Sequence, residues 1–335
     1  MAAATHIGAM EGLAARPVLH LSGAKLRLAL EALIRAAEPI GGIERFAAAV
    51  KLKSDVLQDR LAGGKAAHIE REAFEDIVIL MATVRRRIAG LIDTAGWPRV
   101  REAITVLLSD AHVPGTGDAR VAAFVKTFPE DKTNRFVRDL ASELLHGVYP
   151  EHYPLMHRWV WDTRANTGVL REIWHDPAAG DDVDHIVIDI PDGHETFLVL
   201  REELSQFLSD NGIFRDMLWY VDLLQAQIYG DYINAQGGAY LKTDFSAEAD
   251  PLEHTRRILG LDRIAKRRGR GAIDGDALSP DAIKQLNGGR TDAHSREIAH
   301  PAREPQDARQ SRDRGHRRLR SLVDLHRAAR RHGLQ

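Results

Sequence analysis

Cysteine is absent from the 335-residue sequence. That absence excludes a disulfide scaffold, a cysteine-based zinc or iron–sulfur site and a thiol nucleophile. Mean hydropathy is -0.30, and no apolar run approaches the ~18 residues of a membrane span. The first residues also lack a basic-then-apolar signal region. We therefore expect a cytoplasmic protein with no membrane partner.

Common cofactor signatures are missing as well. The sequence contains no phosphate-binding loop, no strand–glycine–helix nucleotide unit and no serine nucleophile elbow. An acidic cluster lies between His175 and His185, but it lacks a histidine pair at helical spacing, and we interpret it as a solvated loop. We therefore expect no cofactor and no metal.

Charge divides the chain into two unequal parts. Residues 263–335 contain 18 Lys or Arg and 9 Asp or Glu, whereas residues 1–262 contain 28 basic and 39 acidic residues. The body is therefore acidic and the C-terminal segment basic. An acidic body opposes the approach of DNA along one extended face, while a basic segment attracts phosphate locally.

Apolar residues recur at helical spacing over most of the body, which predicts a mainly α fold. The expected architecture is a multi-helix body with one small β element and a basic C-terminal tail. Because the tail has few large apolar residues, we expect it to be largely disordered. We divide the chain into a flexible start (1–20), a helical segment (21–97), a helical domain (98–176), a β element with long helices (177–262) and the tail (263–335).

Local signals set the individual elements. Ser22 is the predicted N-cap of a first helix that ends near Pro39. One strand is predicted at His185–Ile190, and a helix at Thr196–Leu208, for which a short hairpin is the alternative. The other predicted helices are Ile43–Val50, Ser54–Leu61, Glu70–Ile92, Val100–Leu108, Ala119–Phe128, Arg135–His146, Pro154–Trp161, Phe214–Ala235 and Pro251–Leu259.

The segment Gly41–Lys65 has the spacing of two short helices around a turn, with the small residue Ala47 where they would cross. It resembles the Cro/repressor-like helix-turn-helix families. That resemblance implies that Lys53, Ser54, Asp55 and Gln58 face the DNA major groove. The alternative is an ordinary pair of helices in a bundle.

The turn Val113-Pro114-Gly115-Thr116-Gly117 resembles the hairpin of helix-hairpin-helix DNA-binding proteins. The resemblance implies that Gly115 and Gly117 let backbone N–H groups approach a phosphate, since no Cβ obstructs them. A plain loop is the alternative.

Downstream, Leu144-Leu145-His146 followed by Pro150 and Pro154 is similar to a stretch in helical proteins of the DNA-glycosylase superfamily. Such enzymes act on a flipped base with a carboxylate near the site. The resemblance makes Asp139 and Asp162 catalytic candidates and Trp159 or Trp161 candidate stacking residues. No lysine follows the hairpin in the superfamily's usual manner.

Aromatic and polar residues that could line a ligand pocket are concentrated between positions 157 and 174. We select His157, Trp159, Asn166 and Arg171, because aromatic and arginine side chains together can hold a planar ligand. A buried aromatic core is the alternative interpretation.

These observations predict a non-enzymatic, DNA-associated accessory or regulatory protein. Two alternatives stay open, a helical glycosylase-like enzyme and an adaptor whose acidic body binds a basic protein. The sequence does not decide whether a small molecule binds.

Overall fold

A computed structural model describes residues 16–113, 117–176, 178, 186–237 and 250–263. Within these ranges the chain is mainly helical, as predicted. The described helices are α1 (Gly23–Ala37), α2 (Ile43–Leu61), α3 (Arg71–Val78), α4 (Ile88–Ala95), α5 (Trp97–Leu108), α6 (Gly117–Lys126), α7 (Val137–Val148), α8 (Val169–Glu172), α9 (His194–Asp210), α10 (Met217–Gly237) and α11 (Glu253–Ile258). None of these described helices has the length and apolar character needed to span a membrane.

The first helix forms as predicted. The Ser22 hydroxyl accepts a hydrogen bond from the Lys25 N–H at 3.3 Å and caps α1. Leu26, Leu30 and Leu33 share one face of the helix and are buried. The three- and four-residue spacing of these leucines therefore correctly predicted a helix with one buried face.

Two helices occupy the centre of the body. Eleven of the twelve residues of α7 are buried, and α7 packs against α2, α5 and α6. Helix α10 packs against α1, α2, α9 and α11. Helices from residues 21–97, 98–176 and 177–262 thus contribute to one shared hydrophobic core.

The prediction of one helix over Glu70–Ile92 is wrong. Helix α3 ends at Val78, a run of tight turns follows, and α4 begins at Ile88. The cause is a tertiary contact, because the backbone at Leu80 lies directly on Gly260. A Cβ on Gly260 would come within 1.8 Å of the Leu80 carbonyl oxygen.

Two further local predictions are wrong. Residues 154–161 form turns rather than a helix, because their carbonyl groups accept from residues outside the segment, as when Trp159 accepts from the Val169 N–H at 3.0 Å. Residues 186–190 form no strand. The described residues contain only isolated β-bridges, Leu21 with Trp174 and Asp162 with Thr167.

Residues 16–20, the last five of the predicted flexible start, contact the helical body. Arg16 forms ion pairs with Glu195 and Glu202 of α9, and Leu19 belongs to the core. Residues 1–15 and the predicted tail from residue 264 onward lie outside the described residues.

Candidate functional site

The segment that resembles a helix-turn-helix forms one uninterrupted helix, so the predicted turn at Lys51–Lys53 is wrong. Helix α2 continues from Ile43 to Leu61. Without a turn there is no separate second helix to enter a groove of DNA. Glycine is absent from this turn position and the residues there are good helix formers, which explains the continuation.

The side chains expected to read DNA point into the body instead. The Ser54 hydroxyl donates to the Gly147 carbonyl of α7 at 2.8 Å, and Gln58 donates to Ser54 at 3.1 Å. Helix α7 comes this close because residue 147 has no side chain, and a Cβ there would lie 2.3 Å from Leu57 Cδ2. The Lys53 side chain is only 11% exposed. These polar groups therefore join α2 to α7.

The second predicted DNA contact is described only in part. Pro114, Gly115 and Thr116 lie outside the described residues. Gly117 is buried as the first residue of α6, and a Cβ on it would lie 2.6 Å from the His194 ring. Its lack of a side chain thus allows close packing of α6 on α9.

A row of buried ionisable side chains follows α7. Asp139, Glu143 and His146 are spaced by four and three residues and so lie along one side of the helix. Each side chain reaches a partner from another part of the chain, namely Arg158, Lys53 and Asp222 respectively. We refer to these six residues, together with His157, as the α7 polar row.

Glu143 lies at the middle of this row. Its carboxylate binds the Lys53 ammonium, which also donates to the Leu259 carbonyl at 3.0 Å. His157 Nε2 lies 3.1 Å from the other carboxylate oxygen. Burial alone would raise the pKa of Glu143, but Lys53 and His157 outweigh it and lower that pKa to about 2.

The contact with Trp159 determines which ring nitrogen of His157 carries a proton. Trp159 Nε1 donates to His157 Nδ1 at 2.9 Å, so Nδ1 is an acceptor. Nε2, which faces the Glu143 carboxylate, is therefore the ring nitrogen that carries a proton. Trp159 and His157, both predicted pocket residues, are buried and serve this chain of contacts.

His146 extends the row towards α10. Its Nε2 lies 2.9 Å from Asp222 Oδ2, and its Nδ1 donates to the Tyr153 carbonyl at 2.9 Å. Burial lowers the pKa of His146, but the charge and hydrogen bond of Asp222 outweigh it, and the net shift is upward. Asp222 therefore favours the protonated form of His146 inside the protein.

The residues expected to perform glycosylase chemistry are engaged in packing. Asp139 is buried and accepts from Arg158 Nη2 at 2.7 Å. Asp162 accepts from the Ala165 N–H at 3.1 Å within a tight turn. Trp159 and Trp161 are core residues, and Trp161 Nε1 donates to the Ile190 carbonyl. Neither tryptophan presents a free face on which a base could stack.

The remaining pocket candidates organise a loop. Asn166 adopts a positive φ of 50°, donates to the Ile186 carbonyl at 2.9 Å and accepts from the Ile188 N–H at 3.2 Å. The Asn166 side chain thus hydrogen-bonds to the backbone of residues 186–190, as a paired strand would do in a sheet. Arg171 is partly buried on α8.

Chemically, the α7 polar row is a set of matched charges. Every carboxylate in it faces a base or cation, which stabilises the ionised forms inside the core. Among the described residues, no group of three or more His, Asp or Glu side chains is placed to hold a metal ion. We infer that the row fixes α7 against α2, α10 and the segment 157–159.

Sequence reasoning missed the partners in this row. Lys53 and Glu143 are 90 residues apart, and His146 and Asp222 are 76 apart. The available signal was ionisable residues at four- and three-residue spacing within an otherwise apolar helix. Such spacing indicates a polar stripe but does not identify its partners.

Comparisons with protein-family models, with functionally curated proteins and with solved structures found no match to this chain.

Proposed function

We propose that this is a non-enzymatic, DNA-associated protein in which the basic segment 263–335 contacts DNA and the helical body carries that segment. The observation behind the proposal is the charge division, with net charges of -11 on residues 1–262 and +9 on residues 263–335. Lysine and arginine side chains that neutralise phosphates release counterions, which favours binding without regard to base sequence.

The described residues just before the basic segment support the proposal, because they are joined to the core. Asp262 receives two hydrogen bonds from Arg85, at 2.7 and 2.8 Å. Thr255 donates to Gln227 of α10 at 2.9 Å. Hydrogen bonds thus fix the residues just before the basic segment to the core. A ligand of that segment is therefore linked to the body through the chain itself.

The packing of Lys53 and Ser54 against α7 argues against the reading of bases by α2. Sequence-specific reading requires side chains that reach base edges from an exposed element. The expected reading face of α2 is instead packed on α7. We therefore propose binding with little base preference and a strong dependence on salt.

The proposal is tested with a fluorescent duplex, the full chain and a salt titration followed by anisotropy. Arg317→Gln with Arg318→Gln removes two charges from the basic segment. Arg86→Gln with Arg87→Gln removes two exposed charges from the body and is the matched control. If the segment contacts phosphates, the first variant lowers the slope of log affinity against log salt by up to ~2.

The control variant should retain the original slope. Equal effects of both variants would contradict the proposal, as would an absence of binding at low salt. In the latter case the adaptor hypothesis, with the acidic body binding a basic protein, would account better for the charge division.

A further inference from the structure

A cleft of about 450 Å³ lies between α6 and α7. Residues 191–193, which precede α9, also line it. Its apolar wall is formed by Val121, Val125 and Met156. The volume is within the ~300–1,000 Å³ range of sites for small organic molecules.

Ser142 of α7 lines this cleft, and its hydroxyl is buried without a hydrogen-bond partner in the part of the chain that the structure describes. The residue is 0% exposed, and among the described residues nothing hydrogen-bonds to its Oγ. Serine within a helix commonly donates to the carbonyl four residues earlier, as Ser205 does to Arg201 at 2.7 Å. Buried hydroxyl groups are normally satisfied. Among the residues that line the cleft, Ser142 thus has hydrogen-bonding capacity that is left for a ligand to satisfy.

The walls of the cleft are held in place before any ligand arrives. Arg138 binds the side-chain carboxylate of Asp192, and it also donates to the backbone carbonyl of Asp192 at 2.7 Å. Asp118 accepts from the His194 N–H at 2.8 Å. These contacts join α6, α7 and the start of α9 around the opening. A preformed site loses little conformational freedom when it binds.

The charges around the opening define the class of ligand. Side chains of both signs line it, with Lys126 and Arg138 opposed by Asp118, Glu130 and Asp192. Arg138 and Asp192 already neutralise one another. A lining with charges of both signs favours neither an anion nor a cation, and the remaining lining residues are mostly apolar.

We propose that the α6–α7 cleft binds a compact, uncharged organic molecule with an apolar body and one hydroxyl or carbonyl group that pairs with Ser142. This inference does not depend on DNA binding by the basic segment. It assigns a second, independent activity to the helical body.

The test uses the full chain and two fluorinated probes followed by ¹⁹F line broadening. 4-Fluorophenol carries the hydroxyl group, and fluorobenzene lacks it. We expect 4-fluorophenol to bind with a dissociation constant of about a millimolar, which is ordinary for a ligand of this size. Ser142→Ala should weaken 4-fluorophenol about fivefold, the value of one hydrogen bond, and leave fluorobenzene unchanged.

A pair of variants on α6 locates the binding. Ala122 and Ala123 are both exposed, but only Ala122 lines the cleft. Ala122→Phe should fill the opening and abolish binding of both probes, whereas Ala123→Phe should have no effect. Circular dichroism confirms that each variant is folded.

Three outcomes would overturn the proposal. The first is no broadening of 4-fluorophenol at its highest soluble concentration. The second is binding that Ala122→Phe and Ala123→Phe affect equally. The third is an identical response of Ser142→Ala and the unmodified chain to both probes.

Discussion

Lys53→Met removes the ammonium group that balances the buried Glu143 carboxylate. The pKa of Glu143 lies at about 2, against an ordinary value of 4.5. Each unit of this difference corresponds to ~1.4 kcal/mol, so ionised Glu143 in its native surroundings contributes about 3 kcal/mol to the free energy of unfolding. Breaking a buried pair by deleting one partner typically costs ~3–5 kcal/mol, which agrees. We expect Lys53→Met to lower the free energy of unfolding by about 3 kcal/mol.

The control is Lys51→Met on the same helix. Lys51 pairs with Asp55 at 3.5 Å, and both side chains are about half exposed. Exposed pairs of this kind contribute ~0.3–0.5 kcal/mol. Urea unfolding followed by tryptophan fluorescence and circular dichroism at pH 7 measures both variants. The double variant Lys53→Met with Glu143→Gln should recover much of the loss, because it leaves no buried charge.

The dependence on pH provides an independent check. Because the folded-state pKa of Glu143 is depressed, its contribution to stability is complete above pH 4.5 and is lost as pH falls towards 2. In Lys53→Met the carboxyl group can take up a proton far more easily. The difference in stability between the variant and the unmodified chain should therefore shrink below about pH 4.5. Equal costs for Lys53→Met and Lys51→Met at pH 7 would refute this account of the α7 polar row.

Three further results are expected, each measured by urea unfolding. The pKa of His146 is raised in the folded state, so protonated His146 stabilises the fold at low pH. The free energy of unfolding should therefore fall as pH rises above 6.5. Asp222→Asn should abolish this fall. Gly260→Ala should cost more than ~2 kcal/mol, because its Cβ meets backbone, whereas Gly212→Ala, also at positive φ but in open space, should cost ~1 kcal/mol. Ser142→Ala should leave the free energy of unfolding unchanged or raise it by up to ~1 kcal/mol, since it removes an unsatisfied hydroxyl group. A decrease in the free energy of unfolding of ~2 kcal/mol or more would show that the hydroxyl has a partner within the protein.

The helical body illustrates how fold class follows from local pattern. The predicted helices at Thr196–Leu208 and Phe214–Ala235 correspond to α9 (His194–Asp210) and α10 (Met217–Gly237) within a few residues at each end. Apolar residues at helical spacing, bounded by turn-forming residues, are sufficient to specify such elements. The correct fold class did not require knowledge of any contact.

The candidate site could not be predicted in the same way. Lys53, Ser54 and Gln58 are polar residues at the spacing of a DNA-reading helix, and the same spacing suits contacts with a neighbouring helix. The choice depends on Gly147, which lets α7 approach within reach of the Ser54 hydroxyl. Gly147, 93 positions from Ser54, thus determines whether this face of α2 is exposed or packed in the core.

The sequence by itself determined the helical period, the first helix cap at Ser22 and the division of charge at residue 263, because each depends on residues close together in the chain. Only the tertiary structure decided the interruption after Val78 and the pairing of Glu143 with Lys53. The interruption arises where Gly260 admits the backbone of another segment, and the pairing arises because a carboxylate held inside the core requires a cation there. Both depend on groups that are distant in sequence and meet only after the chain has folded.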